Sequence, residues 1–357
     1  MVDANQERVT VTVIIPCRNE IHFIRKFLDT AVRQDTTGMN LEILVADGMS
    51  DDGTRKVLHE YERDYPNLKI IDNPQQFVST GLNAAIREAH GEFIARMDAH
   101  TEYAPDYIRA CLQVLLETGA ENVGGPAFTR AEGYSAEAIA RAFHSKFVSG
   151  GSRFHDVWFE GEVSTVPYGF WRKSTLIRAG LFDERLYRSQ DDELNLRLRN
   201  AGGKIWQSPK IISWYRPRST IHSLSRQYFQ YGFWKVAVIR KHKKPASLRN
   251  LVPGASLLSV ILLLAGIFAT GLAGRTWWEA KLTFALTSLA GVYLAVSFCA
   301  AFLVARHGGW RYFPVFPIIF AAYHFSYGLG FLLAFAYRPI TWDQPGYLRR
   351  ILTTITR

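Results

Sequence analysis

The 357-residue chain has room for one large domain or two ordinary ones, and its 42 Lys and Arg exceed its 32 Asp and Glu by ten. The excess lies in the second half, where no acidic residue occurs between Glu193 and Glu279, so a polyanionic partner is implied, either nucleic acid or a membrane surface. Cys17, Cys111 and Cys299 have no paired spacing, which excludes a disulfide framework and a CxxC metal site.

The first eight residues are polar and contain no signal-peptide core, so a leading soluble domain is expected to stay in the cytoplasm. Residues 9–15 are a β-rich apolar run stopped by Pro16, the pattern of a buried strand. Phe23, Phe27, Leu28 and Ala31 give 20–33 a helical period. Strand-like 41–46 leads into the polar turn 47–53, and a helix is expected over 54–65. A strand at 68–71, a helix at 80–89 and a strand at 93–97 continue the alternation. Strands alternating with helices predict a parallel sheet covered on both faces. Ligands of such sheets bind beyond the carboxyl ends of the strands. Three polar motifs fall there: Pro16-Cys17-Arg18-Asn19-Glu20, Asp47-Gly48 and Asp98-Ala99-His100. One site at one sheet edge is the expectation. Further helices are predicted over 105–118, 135–147 and 191–200, with a short strand at 122–126. The Gly-, Ser- and aromatic-rich stretch 149–162 reads as a mobile loop near a substrate.

Residues 221–239 alternate basic and aromatic positions with apolar ones, as in a helix lying on a membrane surface. Three spans follow, 251–273, 282–305 and 312–337, without a single Asp, Glu, Lys or Arg. Each exceeds the roughly 20 residues that a bilayer-crossing helix needs. Trp277, Trp278, Trp310 and Trp342 flank them as interfacial aromatics do, and the basic run before Leu251 marks a cytoplasmic side. Anionic lipid therefore replaces nucleic acid as the polyanion. Arg338, Arg349, Arg350 and Arg357 conflict with an outside tail. Pro314, Pro317 and Gly328-Leu329-Gly330 offer a broken or re-entrant third segment instead. His324, inside that span, reads as a helix–helix hydrogen bond before it reads as a proton relay.

Asp98 and His100, two apart at a strand end, suit a divalent cation such as Mn2+ or Mg2+ whose shell a diphosphate completes. Asp47 reads as free for a ligand, with Ser50 or Asp52 capping the following helix. Gln190-Asp191-Asp192-Glu193 opens a helix, either complementing its dipole or supplying a general base. These residues by themselves leave both readings open.

Taken together, Val13-Ile14-Ile15-Pro16-Cys17-Arg18-Asn19-Glu20, Val45 to Thr54, Gly81-Leu82-Asn83, Gly91-Glu92-Phe93-Ile94, Arg96 to His100, Gly169-Phe170-Trp171-Arg172-Lys173, Ala179 to Glu184, and Asp191 with Arg197 resemble the family 2 inverting glycosyltransferases over residues 9–235. The resemblance implies a GT-A fold, α/β with a mostly parallel sheet. It also implies a cytoplasmic catalytic domain over 1–215, a basic interfacial segment over 216–250, and a transmembrane domain over 251–357. Pro16, Arg18, Glu20 and Asp47 would hold the uracil and ribose of a UDP-sugar, and Asn83 is implied to bind the donor as well. Asp98 and His100 would hold the cation that offsets the diphosphate. The family usually has D-x-D here, and His100 is a departure. Counting back from Arg197 implies Asp191 as the catalytic base, with Asp192 its competitor.

Arg226-Gln227-Tyr228-Phe229-Gln230-Tyr231-Gly232 is similar to the Q-x-x-R-W motif of processive polysaccharide synthases, with Gln227 toward the diphosphate, but Gln230 and Tyr231 replace its Arg and Trp. The arrangement with the catalytic domain first and three spans after it resembles succinoglycan-type exopolysaccharide transferases. These place a hexose, glucose first among them, on a polyprenyl-diphosphate-linked saccharide at a bacterial inner membrane. Transfer to polyprenyl phosphate, a processive synthase, and an inactive lipid- or partner-binding homologue are the alternatives. A nucleotidyltransferase is set aside because no G-x-G-x-R loop follows the first strand.

Overall fold

A computed structural model describes residues 8–336. They form two compact units: 8–129 with 153–216, and 130–152 with 217–336. The segment 130–152, expected inside the first domain, instead belongs to the second unit.

The first unit opens with β1 (Val9–Cys17), α1 (Ile24–Val32), β2 (Met39–Asp47), α2 (Thr54–Asp64), β3 (Leu68–Asp72), α3 (Val78–Glu88) and β4 (Phe93–Arg96). β5 (Glu102–Tyr103), α4 (Tyr107–Thr118), β6 (Asn122–Gly124) and β7 (Phe128–Thr129) follow. The chain then builds α5 (Tyr134–Phe143) and α6 (Lys146–Ser149) of the second unit. It returns for β8 (Gly161–Glu162), β9 (Phe170–Arg172), α7 (Lys173–Arg178), α8 (Gln190–Asn200), β10 (Ile205–Gln207) and β11 (Ser213–Tyr215).

Eight strands form one sheet in the order β3-β2-β1-β4-β9-β6-β10-β8, and β5-β11-β7 form a small second sheet. The strands β3, β2, β1 and β4 are parallel, as expected. β9 runs antiparallel between β4 and β6, pairing Phe170 with Ala95 on one side and Val123 on the other. Three residues are too few to show a period, so this strand was invisible to patterning. Alternate residues of the central strands feed two cores. Val11, Val13, Ile15, Ile43, Val45 and Ala95 join the first, and Ile14, Leu44 and Ile94 the second. A sheet buried on both faces explains why these strands are apolar throughout rather than alternating.

The second unit adds α9 (Ile221–His242), α10 (Val252–Leu272), α11 (Thr276–Ala305) and α12 (Phe316–Ala336) to α5 and α6. Among the described residues three helical stretches are long and apolar enough to cross a membrane: Leu248–Leu272, Thr276–Ala305 and Trp310–Ala336. Pro314 sits in the 3₁₀ turn Trp310–Val315, and α12 then runs unbroken through Gly328 and Gly330. The break that Gly328-Leu329-Gly330 would have allowed does not occur there, and these glycines serve packing. A Cβ on Gly330 would lie 2.0 Å from the Phe229 carbonyl oxygen of α9, and one on Gly232 2.0 Å from that of Tyr327. The backbones of α9 and α12 therefore approach through paired notches, the device of small-residue helix contacts. α9 packs along α12 and buries Leu224, Phe233, Val236 and Ala237. His324 donates from Nε2 to the Phe147 carbonyl and takes the Tyr293 hydroxyl at Nδ1, tying α12 to α6 and α11. Trp277, Trp278 and Trp310 are exposed. Trp342 and the arginines from Arg338 onward lie outside the described residues.

Candidate active site

The register places the carboxyl ends of β2, β1 and β4 side by side: Cys17 opposes Asp47, and Ile14 opposes Arg96. The loops after β1 and β2 are laced together. Asn19, left-handed at φ 55°, exchanges bonds with Asp51 and takes the Ser50 hydroxyl oxygen at its backbone N–H. Glu20 N–H donates to the Thr54 hydroxyl and Ile21 N–H to Asp52. Asp52 also accepts from Thr54 N–H at the start of α2. Pro16 and Arg18 are half-buried at this edge. The stem of Arg18 lies over Gly48, where an added Cβ would come within 3.1 Å of it. Its buried Nε has no hydrogen-bond partner among the described residues.

Asp47 differs from the expectation of a free carboxylate. It is fully buried. It accepts from Ser50 N–H and hydroxyl, the latter at 2.6 Å, and from Arg55 Nη1 at 2.9 Å. Ser50 therefore serves Asp47 and not the helix cap. Asn83, expected at the donor, is also buried. Its amide donates to the Phe182 carbonyl and Glu184, both at 2.8 Å, and its oxygen accepts from Phe182 N–H. It braces the 182–184 turn.

Asp98 follows β4. Its N–H donates to the Tyr103 hydroxyl at 2.7 Å, and Thr101 N–H closes a turn on its carbonyl. Tyr103, Tyr107 and Tyr168 make an aromatic floor beneath that turn. Burial pushes the Tyr168 and Tyr103 phenols well above the ordinary tyrosine range, so they stay neutral donors and acceptors. The Asp98 carboxylate is gripped from its own strand. Arg96 Nε and Nη2 reach its two oxygens at 2.8 and 2.9 Å, a bidentate fork. Burial opposes the charge of Arg96, but Asp98 first and Asp191 second hold the guanidinium protonated, with its pKa above the ordinary arginine value. Asp191 therefore lies within electrostatic reach of the same guanidinium. His100 is half exposed, with Nδ1 3.4 Å from Glu20 Oε1.

α8 sorts its acidic cluster. Glu193 is fully buried and pairs with Arg197 at 2.9 Å, which also binds the carbonyls of Ala179 and Leu181. That pair is a strut for the preceding loop. Asp191 and Asp192 remain half-buried in the first turn, Asp192 N–H donating to Asp191 Oδ1. The stretch 153–159, expected to be mobile, is pinned by buried Gln207, whose Nε2 donates to the carbonyls of Arg153, Asp156 and Phe159. Gln227 lies on α9, donating to the Tyr231 hydroxyl at 2.9 Å.

Among the described residues no group of three or more His, Cys, Asp or Glu side chains is placed to hold a metal. Asp98 keeps lone pairs beyond those Arg96 uses, and His100 follows two residues on. This donor set fits a cation that brings most of its shell as phosphate and water, the habit of Mg2+ and of Mn2+ in such sites. Sequence reasoning overlooked Arg96. Its one signal was an arginine inside an otherwise apolar strand.

A mostly parallel sheet with β9 inserted antiparallel beside β4 and β8 antiparallel at the edge, carrying its acidic groups at the carboxyl edge, is the GT-A architecture. The same fold is seen in the mannosyltransferase PcManGT from Pyrobaculum calidifontis, solved in complex with GDP-Man and Mn2+. That structure aligns with a TM-score of 0.56 and 19% identity over 90% of this chain and 86% of its own. Residues 12–171 match Glycosyl transferase family 2. The succinoglycan biosynthesis protein ExoA of Rhizobium meliloti is 30% identical over 75% of this chain and 85% of its own length. A dolichyl N-acetyl-alpha-D-glucosaminyl phosphate 3-beta-D-2,3-diacetamido-2,3-dideoxy-beta-D-glucuronosyltransferase of Methanococcus voltae is 33% identical over 65% of this chain and 74% of its own. The chain belongs to glycosyltransferase family 2.

Proposed function

We propose that this glycosyltransferase moves a hexose, glucose first among the candidates, from a UDP-sugar to a polyprenyl-diphosphate-linked saccharide with inversion, working at the cytoplasmic face of a bacterial inner membrane. The observation that carries the reading is the buried Arg96 guanidinium, forked to Asp98 and within electrostatic reach of Asp191. A carboxylate for the donor's diphosphate and a carboxylate for the acceptor's proton thus share one counter-charge.

Asp191 accepts the proton of the acceptor hydroxyl, with Asp192 as its neighbour in the same turn. The freed oxygen attacks the anomeric carbon, and the bond from that carbon to the diphosphate oxygen breaks on the opposite side. One displacement requires one base, whereas glycoside hydrolysis employs two carboxylates. Pro16, Arg18 and Glu20 border the nucleotide end, while Asp47 and Asn83 act behind it by holding their loops. Held by Asp98 and His100, a Mn2+ or Mg2+ ion would offset the charge of the diphosphate leaving group. The GDP-Man and Mn2+ of the mannosyltransferase structure support a cation-assisted sugar nucleotide donor. The name of the Methanococcus relative, which acts on a lipid-phosphate-linked sugar, supports a lipid-linked saccharide over bare polyprenyl phosphate. The basic stretch 216–249 supplies charge suited to a diphosphate acceptor and to anionic lipids.

The test is direct. Membranes holding the protein are supplied with UDP-glucose and a synthetic polyprenyl-diphosphate-galactose. A β-linked disaccharide lipid is the expected product, absent with Asp191→Asn. No product from any UDP-hexose defeats the donor assignment. A product formed on polyprenyl phosphate alone replaces the acceptor.

A further inference from the structure

Arg96 is more than nine-tenths buried, and its three guanidinium nitrogens are unequally used. Nε and Nη2 occupy both oxygens of Asp98. Nη1 is sealed from solvent and has no hydrogen-bond partner among the described residues. A buried unfilled donor on a charged group is costly. The surroundings keep the group charged all the same. The fork also takes the carboxylate best placed to meet a cation, and among the described residues no cluster of three acidic, histidine or cysteine side chains is at hand as a substitute.

We propose that Arg96 is a positioning residue that sets the order of binding: it occupies Asp98 until a nucleotide diphosphate arrives, so that the cation enters with the diphosphate and not before it. A cation alone must displace a charge-assisted fork and gains only Asp98, His100 and water. A diphosphate brings further oxygen ligands for the cation and acceptors for the displaced guanidinium, including its unfilled Nη1. The exchange is then balanced in charge and in hydrogen bonds. The inference rests on the reading of Asp98 as the residue facing the cation.

The experiment measures Mn2+ binding to the purified full-length protein in detergent, with and without UDP, by the electron paramagnetic resonance of free Mn2+. Arg96→Met frees Asp98 and is expected to raise affinity for Mn2+ alone by about tenfold, the scale of a lost charged hydrogen bond. The gain should vanish in the double variant Arg96→Met/Asp98→Asn. A merely structural arginine would give the opposite sign, since loosening the site weakens Mn2+ binding. Unchanged or weaker binding by Arg96→Met overturns the proposal, as does a gain that survives Asp98→Asn. Arg96→Lys keeps a charge without the fork and should give a smaller rise; it carries the same test if Arg96→Met does not fold. If the double variant binds Mn2+ with UDP as the wild type does, the reading of Asp98 fails. If it loses that binding while Arg96→Met shows no rise, only the ordering role fails.

Discussion

Two aspartates stand at parallel strand ends on either side of β1, Asp47 closing β2 and Asp98 after β4, and each is met by an arginine. The resemblance ends there. Asp47 is fully buried and saturated by Ser50 of the loop that follows it and Arg55 of the first turn of α2. Asp98 keeps a partly solvent-facing edge, its arginine comes from the same strand, and half-exposed His100, two residues on, meets Glu20. The first arrangement closes a loop, and the second holds a carboxylate ready. An acidic residue at a strand end therefore has no function until its partners are counted.

The comparison can be broken most sharply through the residue that shares Arg96 with Asp98. Asp191→Asn should lower kcat by about 10³-fold, within the usual span of general-base catalysis. UDP binding measured by calorimetry should stay unchanged; a parallel loss of UDP affinity would move Asp191 into the donor site. Next in size, Asp47→Asn leaves Arg55 and Ser50 short of an acceptor. It should cost about 2–3 kcal/mol in chemical denaturation, reduced from the fully buried case because Arg55 is itself partly exposed. The double variant Arg96→Met/Asp98→Asn removes both charges together and should cost less than about 1–2 kcal/mol, since removing a whole buried pair is often close to neutral. It should nonetheless abolish turnover. If the two costs proved equal, the contrast between loop closure and a held carboxylate would be lost.

A purely structural effect lies in the helical unit. Gly330→Ala puts a methyl against the Phe229 carbonyl and should destabilise the packing of α9 on α12 by about 1–3 kcal/mol. Faster proteolysis within α9 in detergent would report it. The smallest belongs to His100→Ala. It should weaken Mn2+–UDP binding only a few-fold, by roughly one ligand bond among several, and leave the melting temperature unchanged because the side chain is half exposed. Unaltered Mn2+–UDP affinity would leave Asp98 as the single protein ligand.

Local pattern carried the β/α alternation up to residue 97, the helix at Asp191 and the three apolar stretches, because burial on both faces of a sheet, helical period and bilayer length are all written along the chain. It also brought Arg18, Glu20, Asp98 and His100 to one edge, since parallel strands must end together. It did not find β9, β8 or β10, whose two or three residues have no period to read. It read Asp47 as free and Asn83 as a donor contact, because what saturates Asn83 lies about a hundred positions away, at Phe182 and Glu184. The join of 130–152 to the helical unit, the use of Gly232 and Gly330 as notches rather than breaks, and the grip of Arg96 on Asp98 were decided in three dimensions. A residue's type and spacing determine what it can bind. Only the packed fold determines which of those bonds are already made, because the cost of an unmet buried charge or donor is settled by neighbours that the sequence does not place side by side.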